Sequence, residues 1–264
     1  MTTRRTVLIT GGLGDIGRSL AWEFARQGTN IALCDLRDDD EGRAFCLKLA
    51  TSGVGVFYRR IDVTRAEEIA GFVDETVSAF GGLDICIVNA GIVERGDLVD
   101  FPPEQWRYVL DVNLTGAFFT AQAGARAMLA SDRGGHILFT GSWLQDQPRT
   151  RIGAYCASKS GLKMLAKCLA LELAEKNVRV NVIAPGWVDA GLTAKNLAAN
   201  PHLRFDMEGQ IPLGRLMSVD ELSRAVRLLC SDDAGYVTGT TFLVDGGASL
   251  IRRKLAPSFT PDED

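Results

Sequence analysis

The amino-acid sequence predicts an α/β fold built on an open, doubly wound parallel sheet with helices on both faces. Three observations predict it. Seven short β-branched runs recur along the chain, at Thr6 to Thr10, Asn30 to Cys34, Val54 to Tyr58, Leu83 to Asn89, His136 to Thr140, Arg179 to Ile183 and Thr240 to Val244. Each is largely apolar on both faces, as buried parallel strands are. Segments with helical spacing separate these runs, and regular alternation of strand and helix implies right-handed crossovers. A glycine-rich turn directly follows the first run, where such folds bind ligands at strand C-termini.

The first strand leads into Thr10-Gly11-Gly12-Leu13-Gly14-Asp15-Ile16-Gly17, which opens a helix from Ile16 to Gln27 that Gly28 ends. Such a turn lets the backbone approach a pyrophosphate, and the helix N-terminus offers it unpaired amides and partial positive charge. The second strand ends at Asp35, eighteen residues after Gly17. That is close to the ~20 at which an acid accepts hydrogen bonds from an adenosine ribose. Its charge would repel a 2′-phosphate, so NAD is expected over NADP, with Arg37 as the counter-argument. A further helix runs from Glu67 to Phe80 and ends at Gly81-Gly82.

Tyr155-Cys156-Ala157-Ser158-Lys159 begins a helix that continues through Leu162, Leu165, Leu169 and Leu173. Tyrosine and lysine four apart share one face. An ammonium ~4 Å from a phenol is worth about 4 kcal/mol at an effective dielectric of ~20. The expected result is a phenol lowered by roughly three units, before desolvation takes some back. Gly186 to Pro212 breaks the strand and helix rhythm with a long connection, of a length usual for lids and binding loops. Without a linker-like stretch, residues 1–251 are expected to form a single nucleotide-binding catalytic domain with its substrate loop at about 186–212. Residues 252–264, rich in charge and proline, read as a loose tail.

Composition narrows the function. Twenty-nine basic against 33 acidic side chains leave a formal charge of −4, and the arginine pairs are scattered. This argues against a nucleic-acid partner. No apolar run approaches the ~20 residues of a membrane span. Six cysteines without a C-x-x-C pair, and only two histidines, argue against a metal site. They read as reduced, mostly buried thiols of a cytoplasmic protein. Arg4-Arg5 precedes too short an apolar run for twin-arginine export.

Three more motifs complete the pattern. Ser142 stands thirteen residues before Tyr155, Asn89-Ala90-Gly91 ends the fourth strand, and Asp111-Val112-Asn113 lies in the helix between the fourth and fifth. Together these residues resemble the short-chain dehydrogenase/reductase family, from about Val7 to Gly247. The resemblance implies a Rossmann-like sheet of about seven strands and hydride transfer between NAD and a secondary alcohol or ketone. It implies a catalytic tetrad in which Tyr155 exchanges a proton with the substrate oxygen and Ser142 hydrogen-bonds that oxygen. Lys159 would lower the tyrosine pKa and bind the nicotinamide ribose, and Asn113 would hold a relay water. Gly11, Gly14, Asp15, Ile16, Gly17 and Asp35 would meet the cofactor, as would Asn89, Ala90, Gly91, Pro185, Gly186 and Val188. Asp62 and Val63 would contact the adenine. Gly14 stands where relatives that prefer NADP often carry a basic residue.

Two positions depart from the family pattern. Asp15 replaces a glycine, and a carboxylate beside a pyrophosphate is unfavourable unless it points away. Ala190 replaces a threonine that meets the carboxamide. The substrate walls are expected from Ser142, Trp143, Gln145, Tyr155 and Trp187, with Glu94, Arg95, Asp146, Gln147, Arg149 and Arg151 adding polar groups. That list suggests a small sugar or polyol, with 3-oxoacyl thioesters as the rival. A catalytically idle nucleotide-binding regulator is the alternative of another class, and Asp15 is its best argument. The apolar series after Lys159 is wider than one stripe needs, and a homotetramer is expected.

Overall fold

The computed structural model describes residues 4–131 and 133–250; the expected tail at 252–264 lies outside them. Seven strands form one parallel sheet: β1 (Thr6–Thr10), β2 (Asn30–Asp35), β3 (Val56–Arg60), β4 (Ile85–Val88), β5 (Gly135–Thr140), β6 (Val178–Pro185) and β7 (Thr241–Val244). Their order is β3-β2-β1-β4-β5-β6-β7. The chain therefore reverses its direction of travel between β1 and β4, and ligands collect at that crevice in open α/β sheets.

Alternation along the strands sorts the core into two layers. Val7 and Ile9 of β1, Ile85 and Ile87 of β4 and Leu138 of β5 pack against α1 (Asp15–Arg26), α2 (Asp39–Ala50) and α9 (Val219–Leu229). Leu8, Cys86, Val88, Ile137 and Phe139 face α3 (Ala66–Phe80), α5 (Gly116–Ser131) and α6 (Gly153–Leu173). Burying a side chain such as Leu20 or Phe72 contributes about 1.5–3 kcal/mol, so each layer holds its helices without special pairings.

The structure departs from the sequence reading at the sheet edges and in the connections. β3 starts two residues later than Val54 and runs to Arg60, and β7 leaves Phe242 and Leu243 exposed, because edge strands are covered less than central ones. The connection from 186 to 212 is not irregular throughout: it carries α7 (Gly191–Ala199) and α8 (Leu203–Glu208). Only Cys34, Cys86 and Cys230 are buried, while Cys168 is exposed on α6. Asn113 does not lie in a regular helix. Between α4 (Pro103–Leu110) and α5 the turn Asp111–Thr115 widens to π geometry, and Gly116 brings it against Val63, where a Cβ would stand 2.9 Å from the Val63 carbonyl oxygen.

The glycine turn packs as tightly. A Cβ on Gly17 would stand 2.3 Å from the Gly11 carbonyl oxygen, whereas one on Gly71, exposed in α3, would meet nothing within 4 Å. Gly17→Ala is therefore expected to cost about 3 kcal/mol and lower Tm by roughly 5–10 °C. Gly71→Ala should raise stability by about 0.8 kcal/mol, and thermal melts of the two variants check both signs.

Candidate active site

A hydrogen-bonded strap crosses the C-terminal ends of the three central strands. Asn89, just past β4, donates from Nδ2 to the carbonyls of Thr10 at 3.0 Å and Gly11 at 3.3 Å. Thr10 Oγ1 accepts from the amides of Asn89 and Ala90 at 3.0 and 3.2 Å. Thr140 at the end of β5 donates to Asn89 Oδ1 at 3.2 Å, and its carbonyl accepts from Lys159 Nζ at 2.7 Å. Lys159 is thereby held beneath the strand ends, one helical turn from Tyr155.

Asn113 supports the same point from the other side. Its Oδ1 accepts from the Ile92 amide at 2.8 Å, and its Nδ2 donates to the Ile92 carbonyl at 2.9 Å and to Ser158 Oγ at 3.1 Å. The widened turn aims this buried amide at the segment after β4. Gly91 fits between Asn113 and Lys159, where a Cβ would lie 3.3 Å from Asn113 Oδ1 and 3.5 Å from Lys159 Nζ.

Ser142 begins the short turn Trp143–Gln145, and its Oγ accepts from the Leu144 amide at 3.2 Å. Burial raises the Tyr155 phenol pKa, while the hydrogen bond from Ser142 pulls it down. Desolvation lowers Lys159 to about 8. The expected lowering of the phenol by roughly three units does not hold. The ammonium sits 5.7 Å from the ring centroid and is engaged by Thr140, so desolvation of the phenol outweighs it.

Two adjoining cavities meet here. One, of about 290 Å³, is lined by Ser142, Tyr155 and Lys159 together with Trp143, Pro185, Gly186, Trp187 and Val188. The other, of about 330 Å³, is lined by Gly11, Gly14, Asp15, Ile16, Gly17, Asp35, Asp62, Val63, Asn89, Ala90 and Gly91. Ile16, Asn89, Gly91 and Gly191 line both, so the space continues from the glycine turn to the tyrosine. The first amides of α1 have no carbonyl behind them in the helix, and Gly14 caps it without a side-chain hydrogen bond. The residues present fit a dinucleotide: an anion-binding helix end, a strand-end carboxylate and a cavity reaching both.

Asp35 holds the turn as well, with Oδ2 accepting from the Leu13 amide at 3.1 Å and Oδ1 from the Arg37 amide at 3.2 Å. Arg37 turns toward α2, donating to the Leu13 carbonyl at 2.8 Å and to Glu41 at 3.2 Å. Asp15 points away from the helix axis: its Oδ2 accepts from the Gly191 amide at 2.7 Å, at the start of α7. The carboxylate that replaces a glycine therefore anchors the connection after β6 to the glycine turn.

The substrate wall differs from the sequence expectation. Gln145 does not line the cleft; its side chain is buried beside Gly141, and neither amide atom has a hydrogen-bond partner among the described residues. The short turn after Ser142 carries it inward. Asp146 pairs with Lys163 at 2.5 Å and Gln147 donates to the Ser249 carbonyl at 2.9 Å, leaving Arg149 as the cleft-lining member of that polar run. Asn113 also stands behind the cleft wall, shielded by Gly91. Met207, Thr150 and Thr193 line the cleft, and Tyr108 and Val112 line the glycine-turn cavity. Only Val112 lay within a motif, Asp111-Val112-Asn113; Leu203 and Met207, four apart on α8, are the apolar spacing that could have found Met207.

A family model described as enoyl-(acyl carrier protein) reductase matches residues 13–249. 3β-Hydroxysteroid dehydrogenase 1 of Eggerthella lenta is 35% identical over 247 residues, 93% of this chain and 94% of that one. A 3-oxoacyl-(acyl-carrier-protein) reductase of Staphylococcus aureus is 33% identical over 247 residues, 94% of this chain and 99% of that one. Among solved structures, an NAD+-bound xylitol dehydrogenase superposes with a TM-score of 0.87 at 29% identity, covering 94% of this chain and all of that one. A short-chain type dehydrogenase/reductase from Mycobacterium marinum gives 0.85 at 33% identity, covering 92% and 95%.

The Asp15 contact makes a prediction about the loop. Asp15→Ala should speed hydrogen exchange of the Gly191 amide and the first turn of α7 by about tenfold, the loss of roughly 1.4 kcal/mol of protection. Asp15→Asn keeps an acceptor and should exchange within about threefold of the wild type, as mass spectrometry of the 190–199 peptides would show.

Proposed function

Because the chain belongs to the short-chain dehydrogenase/reductase family and is an oxidoreductase of CH–OH groups, we propose that it uses NAD to oxidise a small polar secondary alcohol, a sugar or polyol, or to reduce the matching ketone. The observation that carries this reading is the convergence of Ser142, Tyr155 and Lys159 on one cleft that runs on into the glycine-turn cavity. The cofactor, when bound, supplies or accepts the hydride. Tyr155 takes the proton from the alcohol oxygen in oxidation and returns it in reduction. Ser142 hydrogen-bonds the same oxygen and opposes charge building on it. Lys159 holds a positive charge one helical turn away, and Asn113 fixes the segment through Gly91 and Ile92 that lies between it and Lys159.

Asp35 supports NAD over NADP, since a second negative charge beside it is repelled and Arg37 is drawn toward Glu41. The Trp143 and Trp187 rings, edge to face at 4.8 Å, offer an apolar surface for the C–H face of a sugar. The rival reading, reduction of a 3-oxoacyl thioester, is favoured by the apolar lining from Ile152, Leu144 and Met207. The six free thiols fit a reducing, cytoplasmic setting. Among the described residues no helix is long and apolar enough to cross a membrane.

Assays of NAD reduction over sugars and polyols, beside NADH oxidation with acetoacetyl thioesters, test the substrate. Tyr155→Phe should abolish turnover while nucleotide binding stays within about twofold of the wild type. A raised phenol pKa keeps Tyr155 protonated at neutral pH, so ketone reduction should persist there and fall in alkali, and alcohol oxidation should climb as pH rises. Higher kcat/KM with NADP, or an oxidation rate flat from pH 6 to 10, would defeat these assignments. The exposed apolar side chains on α6, Met164 and Leu171, fit a homotetramer packed through that helix. Light scattering should give four times the chain mass, falling when both are changed to glutamate.

A further inference from the structure

Ser142 and Tyr155 reach the same cleft from different elements. Ser142 follows the end of β5, whereas Tyr155 stands in the first turn of α6, so neither element alone sets the gap between their oxygens. Ser142 Oγ accepts from the Leu144 amide, and this leaves its single proton to be donated toward the cleft. A hydrogen bond weakens steeply once its length or angle departs from the optimum. The worth of Ser142 to the phenol and to a substrate oxygen therefore depends on where the turn Trp143–Gln145 is held.

That turn is fastened to α6 at two points. Ser160, which directly follows Lys159, donates from Oγ to the Gln145 carbonyl at 2.6 Å, and Lys163 Nζ pairs with Asp146 at 2.5 Å. Ser160 and Lys163 are three apart and share a face of the helix. Within the turn, the Gln145 and Asp146 amides donate to the Ser142 and Trp143 carbonyls at 3.0 and 3.4 Å, which carries any displacement of Gln145 back to Ser142. The Gln145 side chain, tucked behind Gly141, adds no hydrogen bond among the described residues. Both ties lie near the surface, with Asp146 more than half exposed, so they add little to overall stability. Their effect is on position.

We propose that Ser160 and Lys163 are positioning residues, which set Ser142 against Tyr155 by clamping Gln145 and Asp146 to the helix that carries the phenol. Neither side chain lines the cleft, so both act through Ser142. The inference rests on the dehydrogenase reading above and adds two residues that no motif contains.

The variant Ser160→Ala/Lys163→Met tests it, with each single change expected to show part of every effect. Amide exchange of the 142–147 segment should speed up about tenfold, while Tm stays within about 3 °C and the mass by light scattering is unchanged. In the same variant kcat should fall about tenfold, with KM for NAD within about twofold. The rise of alcohol oxidation should move to higher pH by about half a unit, because a misaligned Ser142 no longer lowers the phenol pKa in full. Lys159, Cys156, Arg95 and Arg149, the other titratable groups beside the phenol or along the cleft, are untouched by these changes. Ser160→Thr/Lys163→Arg keeps both donors and should recover kcat to within about threefold, together with the wild-type pH profile. Unchanged exchange, faster exchange with kcat and pH profile unaltered, or no recovery in the conservative variant would overturn the proposal. Failure of the wild type to turn over any alcohol or ketone would remove the dehydrogenase reading instead. Exchange then decides alone: faster in the first variant and restored in the second upholds the clamp, and any other result overturns it.

Discussion

The side-chain amide of Asn89 is the constraint on which the site depends. One group answers two carbonyls of the β1 turn and the Thr140 hydroxyl, so the ends of β1, β4 and β5 cannot move independently. Each of these hydrogen bonds contributes about 1 kcal/mol net, a small share of the fold's stability. Its larger effect is geometric. Thr140 passes the constraint to Lys159, and Lys159 sits on the same helical face as Tyr155, so the position of the phenol follows from the register of three strands.

Much of this was legible in the sequence, and the reasons are physical. The glycine turn, Asp35 and the Tyr155 helix lie at strand ends, where backbone alternation and helix spacing dictate direction. Gln145 failed because its direction is set by a single tight turn after Ser142, and no periodicity governs such a turn. Asn113 was placed in the right segment, yet its turn widens next to the packing of Gly116 on Val63, a contact across 53 residues that no local periodicity reveals. The helices within 186–212 were missed because they are short and follow glycine and proline. The phenol pKa was misjudged for a further reason: the spacing of a charge pair is visible in the sequence, whereas desolvation depends on everything packed around it.

Asp15 shows how a departure from a pattern can be accommodated rather than tolerated. A carboxylate at the first turn of α1 lines the glycine-turn cavity and would oppose an anion placed there. Bonded to the Gly191 amide, it is directed toward the substrate connection, and Gly191, with φ of 53°, presents that amide from a left-handed position. The same residue thus ties together two segments more than 170 residues apart.

The strap also bears on how the chain acquires activity. Its bonds close over long stretches, 79 residues between Thr10 and Asn89 and 51 between Asn89 and Thr140. Contacts of such separation form late, because loop entropy must be overcome before they bring any gain. During refolding, local helices can be complete while Lys159 and Tyr155 still lack their frame. Helical signal is then a poor proxy for competence, and only the joining of β1 to β4 and β5 makes an enzyme of the chain.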